Sequence, residues 1–226
     1  MVLRIGHRGA MGYEPENTLR SFKKALALNV DMVELDVHVC KTGEVVVIHD
    51  RSVDRTTNGS GLVVEKTLDE LKKLDAGMGE RIPTLQEVLD ILNGKVDVNI
   101  ELKGIGTAES VARIIEENVT TKRWNYDQFL VSSFNQYELE EFRGLSKQTR
   151  VGILVSNTGV GLWGLAKKVK AYSIHINISF ISREMVNEAH RRGYLVFVYT
   201  VNDIREINKM KLIGVDGIFS NYPDRV

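Results

Sequence analysis

The stretch MVELDVHVCKTGEVVVIHD, residues 32–50, decides the fold. It holds two runs of strand composition, Met32–Val39 and Val45–His49, rich in valine. Only Cys40–Glu44 lies between them. A parallel crossover needs roughly a dozen residues or more, so the two runs are predicted to form an antiparallel hairpin turning near Thr42-Gly43. That turn would set Glu34 roughly opposite His49.

Working outward, seven further runs read as strands: Val2–His7, Val96–Lys103, Phe129–Ser133, Arg150–Val155, Ser173–Ile178, Tyr194–Val201 and Gly217–Ser220. Amphipathic segments separate most of them. Asn17 or Thr18 can cap a helix with Leu19, Phe22 and Leu26 on one face. Thr67-Leu68-Asp69-Glu70 and Thr84-Leu85-Gln86-Glu87 are capping boxes. Ser182–Arg192 and Asp203–Leu212 read as helices, with Gly193 and Gly214 where C-caps belong. Once the outer hairpin arm is set aside, eight parallel strands remain. The predicted class is α/β, a TIM (β/α)8 barrel with a β-hairpin extension after strand 2. Residues 51–81 are the one long stretch without a strand and read as a small insertion over the barrel mouth.

The 226 residues suit a single barrel domain spanning 1–226. The 30 basic and 30 acidic side chains cancel, so no global field draws in nucleic acid or an anionic membrane. No apolar run approaches the ~20 residues of a membrane span. The lone cysteine, Cys40, excludes an intramolecular disulfide. The opening MVLRIGHRG enters a strand without an apolar export segment. These features lead to the expectation of a cytoplasmic protein; none specifies an oligomeric state.

Side chains alternate along a strand. Val33, Leu35 and Val37 must face the helices, which turns Glu34 and Asp36 into the barrel. In the run around Glu101, Val98, Ile100 and Leu102 face out, while Asn99, Glu101 and Lys103 face in. Three carboxylates, Glu34, Asp36 and Glu101, thus converge from two strands that are neighbours in the barrel. Their mutual repulsion is relieved by a hard divalent cation, and an all-oxygen set suits Mg²⁺, Ca²⁺ or Mn²⁺ rather than Zn²⁺. His7 ends the first strand and His49 ends the hairpin. Two imidazoles beside an acid cluster form an acid/base pair. Arg8 and Lys103 add positive charge suited to a phosphate. Tyr199, near a strand end, is expected on the substrate wall or packed in the core. His175 and Asn177 are candidates for the interior and the site. His38 is expected as exposed hairpin decoration and His190 on a solvated helix face. Trp163 is expected in a packed loop.

The chain resembles the glycerophosphodiester phosphodiesterases. The resemblance rests on His7-Arg8-Gly9, Pro15-Glu16-Asn17-Thr18, Glu34-Leu35-Asp36-Val37, Val47-Ile48-His49-Asp50, Asp54-Arg55-Thr56-Thr57, Ile82-Pro83-Thr84-Leu85, Ile100-Glu101-Leu102-Lys103, Ser132-Ser133-Phe134, Val198-Tyr199-Thr200-Val201-Asn202 and Asp216-Gly217-Ile218, in order along nearly the whole chain. It implies a TIM barrel that hydrolyses a small-molecule glycerophosphodiester to an alcohol and sn-glycerol 3-phosphate. It implies the divalent metal on Glu34, Asp36 and Glu101, His7 and His49 as acid and base in either order, phosphate on Arg8 and Lys103, and Glu16 orienting a neighbour. The glycerol hydroxyl next to the phosphate would be the internal nucleophile. Tyr199 stands where the family often has Trp, Cys40 and Thr42 where Thr and Asp are common, and Ser220-Asn221-Tyr222-Pro223 where Thr-Asp-x-Pro is usual. These departures bear on substrate preference. A lysophospholipase D-like activity and a catalytically silent phosphate-binding barrel are the alternatives.

Overall fold

Valine- and isoleucine-rich runs alternate with amphipathic ones, and the chain forms alternating strands and helices accordingly. The structure is a computed structural model and describes residues 1–121, 124–156 and 161–226. In chain order the strands are β1 (Leu3–Gly6), β2 (Met32–Val39), β3 (Val45–Val47), β4 (Asp97–Leu102), β5 (Phe129–Ser133), β6 (Arg150–Val155), β7 (Ser173–Asn177), β8 (Leu195–Tyr199) and β9 (Gly217–Ser220). Each lies within the run read from the sequence. The helices are α1 (Leu19–Ala27), α2 (Leu68–Lys73), α3 (Leu85–Leu92), α4 (Thr107–Thr121), α5 (Gln136–Leu145), α6 (Leu162–Lys168), α7 (Arg183–Arg191) and α8 (Ile204–Ile213).

Eight strands pair in parallel in the order β1-β9-β8-β7-β6-β5-β4-β2, and β2 pairs back onto β1, closing a TIM barrel. The ninth strand, β3, pairs with β2 alone among the described strands and runs antiparallel to it. The hairpin register pairs Val37 with Val47 and Val39 with Val45. Continued, it would set His49 opposite Leu35, one residue from the expected Glu34. The ladder stops first: Ile48 N–H donates to the Asp36 carbonyl at 3.0 Å, and the chain turns away.

Strand alternation sorts the side chains. Val33, Leu35 and Val37 on β2, and Val98, Ile100 and Leu102 on β4, are buried between sheet and helices. Inside the barrel, Ile5, Met32, Leu130, Phe197 and Phe219 pack into one cluster. On β2 the inward series runs Met32, Glu34, Asp36, so the interior is apolar near the strand starts and charged at their C-terminal ends. His175 belongs to the apolar level. It is fully buried, stacks on Phe197 at 5.2 Å and bonds the Ser173 hydroxyl at 2.9 Å. Asn177 accepts from Ser179 N–H. His175 thus lies in the interior, as expected, but neither residue lines the pocket at the barrel mouth, which corrects their candidacy for the site; burial among aromatic rings suits a neutral packed imidazole.

Local capping signals work as the sequence indicates. Thr67 and Thr84 each form a reciprocal capping box, with Glu70 and Glu87. Thr18, not Asn17, caps α1. Trp163 lies on α6 rather than in a loop, stacked on Tyr194 with the Arg192 guanidinium 4.8 Å from its ring. The inserted segment contains α2 and builds a satellite core from Val53, Val63, Leu71 and Ala76, with Ile82 just after it, against Cys40, Val46 and Ile48 of the hairpin.

The N-terminus of α4 is capped from another helix. The buried Glu138 carboxyl group on α5 accepts from Gly106 N–H at 2.7 Å, Ala108 N–H at 3.0 Å, and both the N–H and hydroxyl of Thr107 at 3.1 Å. Glu138→Ala strands these donors and is expected to cost about 2–4 kcal/mol. Urea unfolding should show a lower midpoint at unchanged slope; an unchanged midpoint would refute the cap.

Candidate active site

The site lies over the C-terminal ends of the strands and is assembled from loops that follow them. Glu34 and Asp36 stand on β2 and Glu101 on β4, where Asp36 pairs in register with Glu101. One carboxylate oxygen from each lies within 4.8 Å of the other two. A pocket of about 220 Å³ opens above them, lined by His7, Arg8, Glu34, His49, Glu101, Lys103 and Tyr199 among others. Residues from the ends of β1, β2, β3, β4 and β8 thus meet in one cavity.

Burial sets the electrostatics. Burial raises the Glu34 carboxyl well above the usual carboxylate range, and the neighbouring Asp36 and Glu101 add to the shift. Glu101 is pushed up to about 7, again first by burial and then by Asp36, although Lys103 opposes this. Positive groups limit the repulsion. Lys103 Nζ lies 2.9 Å from Glu101 Oε1 and 3.9 Å from Asp36 Oδ1. Arg8 Nε lies 3.3 Å from Asp36 Oδ2, and its backbone N–H donates to Glu34 Oε2 at 2.8 Å. Asn17, in a left-handed conformation, donates to Asp36 Oδ2 at 2.9 Å.

The donor set fits a hard divalent cation. All three groups are buried carboxylates, oxygen ligands suit such ions, and Asp36 Oδ1 is buried without a hydrogen-bond partner among the described residues. Glu34, Asp36 and Glu101 would hold it.

The two imidazoles stand in different surroundings. His7 Nδ1 lies 2.7 Å from Asn221 Oδ1, in the loop after β9. Asn221 is held in turn by its N–H bond to Asn202 Oδ1 at 2.9 Å. Burial, and then the adjacent Arg8 charge, lower His7 to about 4. His49 Nδ1 lies 2.5 Å from Asp50 Oδ1, and Lys103 Nζ stands 3.1 Å from its Nε2. Hydrogen bonds from Arg55 hold Asp50 well below the usual carboxylate range. Arg55 also bonds both carboxylate oxygens of Glu16 at 2.8 Å. Burial alone would raise Glu16, but Arg55 and Arg8 prevail and bring it to about 2. Glu16 Oε1 accepts from Arg8 Nη1 at 2.7 Å. A continuous ionic chain therefore runs from His49 through Asp50, Arg55, Glu16 and Arg8 to the carboxylate trio.

Tyr199 lines the pocket wall, its hydroxyl tied to the Val155 carbonyl at 2.9 Å and its ring edge-on to Phe134. His38 is not exposed decoration. It is only 6% exposed, and Nε2 donates to the His49 carbonyl at 3.1 Å, because the inserted segment covers the hairpin. His190 is exposed, as expected, and bonds Asp216. Sequence reading missed Asn221, Asp50, Arg55 and Asn17 as site residues. The first lies inside a motif already noted for its departure from the usual pattern, and the second adjoins His49; Asn17 and Arg55 lie in motifs that carry the resemblance, but nothing local marked them as site residues.

Comparison with known proteins places this geometry. The model of the glycerophosphoryl diester phosphodiesterase family matches residues 7–225. A glycerophosphodiester phosphodiesterase of Caldanaerobacter subterraneus is 40% identical, with 99% of this chain and 95% of that protein covered. One from Bacillus subtilis is 31% identical, covering 99% and 84%. Among solved structures, an Oleispira antarctica phosphodiesterase in complex with the product sn-glycerol-3-phosphate superposes with a TM-score of 0.90 at 33% identity, covering 98% of this chain and 93% of that one.

The carboxylate trio gives a stability signature. A carboxyl group raised from 4.5 to about 7 on folding binds protons more tightly in the folded state. Its contribution is complete below the unfolded value and lost as pH rises through 7. His7, lowered to about 4, acts in the opposite sense but only below 6.5. The metal-free melting temperature should therefore fall between pH 6.5 and 8. Added Mg²⁺ or Ca²⁺ should restore it, and Glu101→Gln should flatten the fall. A pH-independent melting temperature in the wild type would refute this electrostatic picture.

Proposed function

This chain belongs to the glycerophosphoryl diester phosphodiesterase family, and from that premise we propose that it hydrolyses glycerophosphodiesters to an alcohol and sn-glycerol 3-phosphate, with His7 and His49 as the acid/base pair. The observation that carries the reading is the shared pocket. Both imidazoles line it together with Glu34, Glu101 and Lys103, and β2, bearing two of the carboxylates, stands between β1 and β4 in the barrel. The chain is read as one barrel domain, 1–226, with 51–81 as its insertion. A cytoplasmic setting suits a chain whose single cysteine is a buried free thiol.

Glu34, Asp36 and Glu101 would hold a divalent cation, with Mg²⁺, Ca²⁺ and Mn²⁺ as the candidates, which would supply positive charge for the phosphate and lower the pKa of a hydroxyl bound to it. Lys103 offers the phosphate a point charge beside His49. The Arg8 guanidinium is braced by Glu16 and Asp36 and is oriented before substrate arrives.

The two hydrogen-bond partners divide the roles. Asn221 Oδ1 can only accept, so His7 Nδ1 carries the proton and Nε2 is bare. A ring lowered to about 4 is neutral at physiological pH, as a base must be. His7 takes the proton of the glycerol hydroxyl adjacent to the phosphate, and that oxygen attacks phosphorus. His49, its ring held at Nδ1 by the Asp50 carboxylate, protonates the departing alkoxide from Nε2. The cyclic phosphate so formed is opened by water with the roles reversed, leaving one phosphomonoester and one alcohol per water consumed. Holding the hydroxyl against phosphorus is the proximity advantage of an internal nucleophile.

Two assays check this. His7→Ala and His49→Ala should each lower turnover of glycerophosphocholine by roughly 10²–10⁴-fold without lowering the melting temperature, and chelation should abolish turnover until a divalent ion is restored. Asn221→Asp places negative charge against His7 and should raise its pKa, so the acidic limb of the kcat/KM profile should move towards neutral pH. Full activity in either histidine variant would overturn the assignment of the pair; an unmoved limb would overturn His7 as the base.

A further inference from the structure

We propose that a groove beside the catalytic pocket binds an aliphatic chain carried by the leaving alcohol, so that the preferred substrates are glycerophosphodiesters of an apolar alcohol. The proposal rests on the hydrolytic reading above and on His49 as the acid. The groove, about 330 Å³, is bounded by Leu62 and Val64 of the inserted segment, Ile105 after β4, Val39 of the hairpin, and the cations Arg51 and Lys103. Lys103 also lines the catalytic pocket. A phosphodiester held at Lys103 therefore has the groove as its continuation.

Three observations select an aliphatic occupant. The rim carries large apolar side chains in water: Ile105 is 90% exposed, Val64 62% and Leu62 41%. They come from two separate segments, and none belongs to a hydrophobic core cluster. No carboxylate lines the groove among the described residues, and its catalytic end carries Lys103, so an anionic phosphate fits at that end with an apolar tail beyond it. At the ~30 Å³ a water occupies, the volume is that of about eleven waters, enough for a medium-length chain.

The position of the groove selects the half of the substrate. It lies on the His49 side. His38, which also lines it, bonds the His49 carbonyl, and Lys103 bonds His49 Nε2. The group next to the acid is the departing alcohol, whereas the glycerol half lies towards His7 and Asn221. Net chemistry is unchanged: water adds its oxygen to phosphorus and its proton to the alcohol released.

The test compares three monomeric substrates below their critical micelle concentrations: glycerophosphocholine, glycerophospho-octanol, and 1-octanoyl-glycerophosphocholine, whose chain is on the glycerol. Glycerophospho-octanol should show a KM roughly tenfold or more below that of glycerophosphocholine, given the transfer free energy of buried methylenes. The double variant Val64→Asp/Ile105→Asp, at two exposed positions outside the catalytic machinery, should erase that advantage and leave glycerophosphocholine turnover unchanged. No chain-dependent gain, a gain confined to the glycerol-acylated substrate, a gain that survives the double variant, or one that appears only with micelles would overturn the groove. Loss of glycerophosphocholine turnover in the wild type would instead overturn the hydrolytic reading.

Discussion

Three acidic side chains share the mouth of one barrel, and their oxygens approach within 4.8 Å of one another. Out of bulk water such like charges repel strongly. Much of the surrounding architecture answers that constraint. β2 and β4 pair through six successive residues, and the outward partners Val33, Leu35, Val98 and Ile100 are fully buried. This pins the carboxylates in place while repulsion would separate them. Arg8, Lys103 and Asn17 then converge on the same oxygens. Three carboxylates fixed this close together form a site pre-organised for a divalent charge.

The inserted segment extends this frame in a second layer. The outer hairpin strand pairs over only three residues and could not hold His49 alone. The satellite core beneath residues 51–81 covers the hairpin, buries His38 against the His49 backbone, and brings Arg55 between Asp50 and Glu16. The same segment forms one wall of the apolar groove. The setting of His49 and one wall of the groove therefore both depend on one short excursion from the barrel.

His7 and His49 stand against different partners. A neutral amide faces one ring and a carboxylate faces the other. Asn221 stands where the usual family pattern has an acid, and an acidic partner of an imidazole, Asp50, adjoins His49 instead.

The barrel, its hairpin and the convergence of Glu34, Asp36 and Glu101 were legible in residues 1–226 because they rest on local rules. Alternation of side chains along a strand, the reach of five residues between two runs, and capping boxes such as Thr84–Glu87 each act over a few positions. Other features required closure of the barrel. Asn221 meets His7 across 214 residues of chain, Glu138 caps a helix about 30 residues before it, and His175 proves to be packing because the aromatic level of the interior closes around it. Periodicity tells which face of a strand a residue occupies. Its height in the barrel, its partner from a distant loop and the burial that shifts its pKa depend on where all eight strands end, which is settled only when the sheet closes.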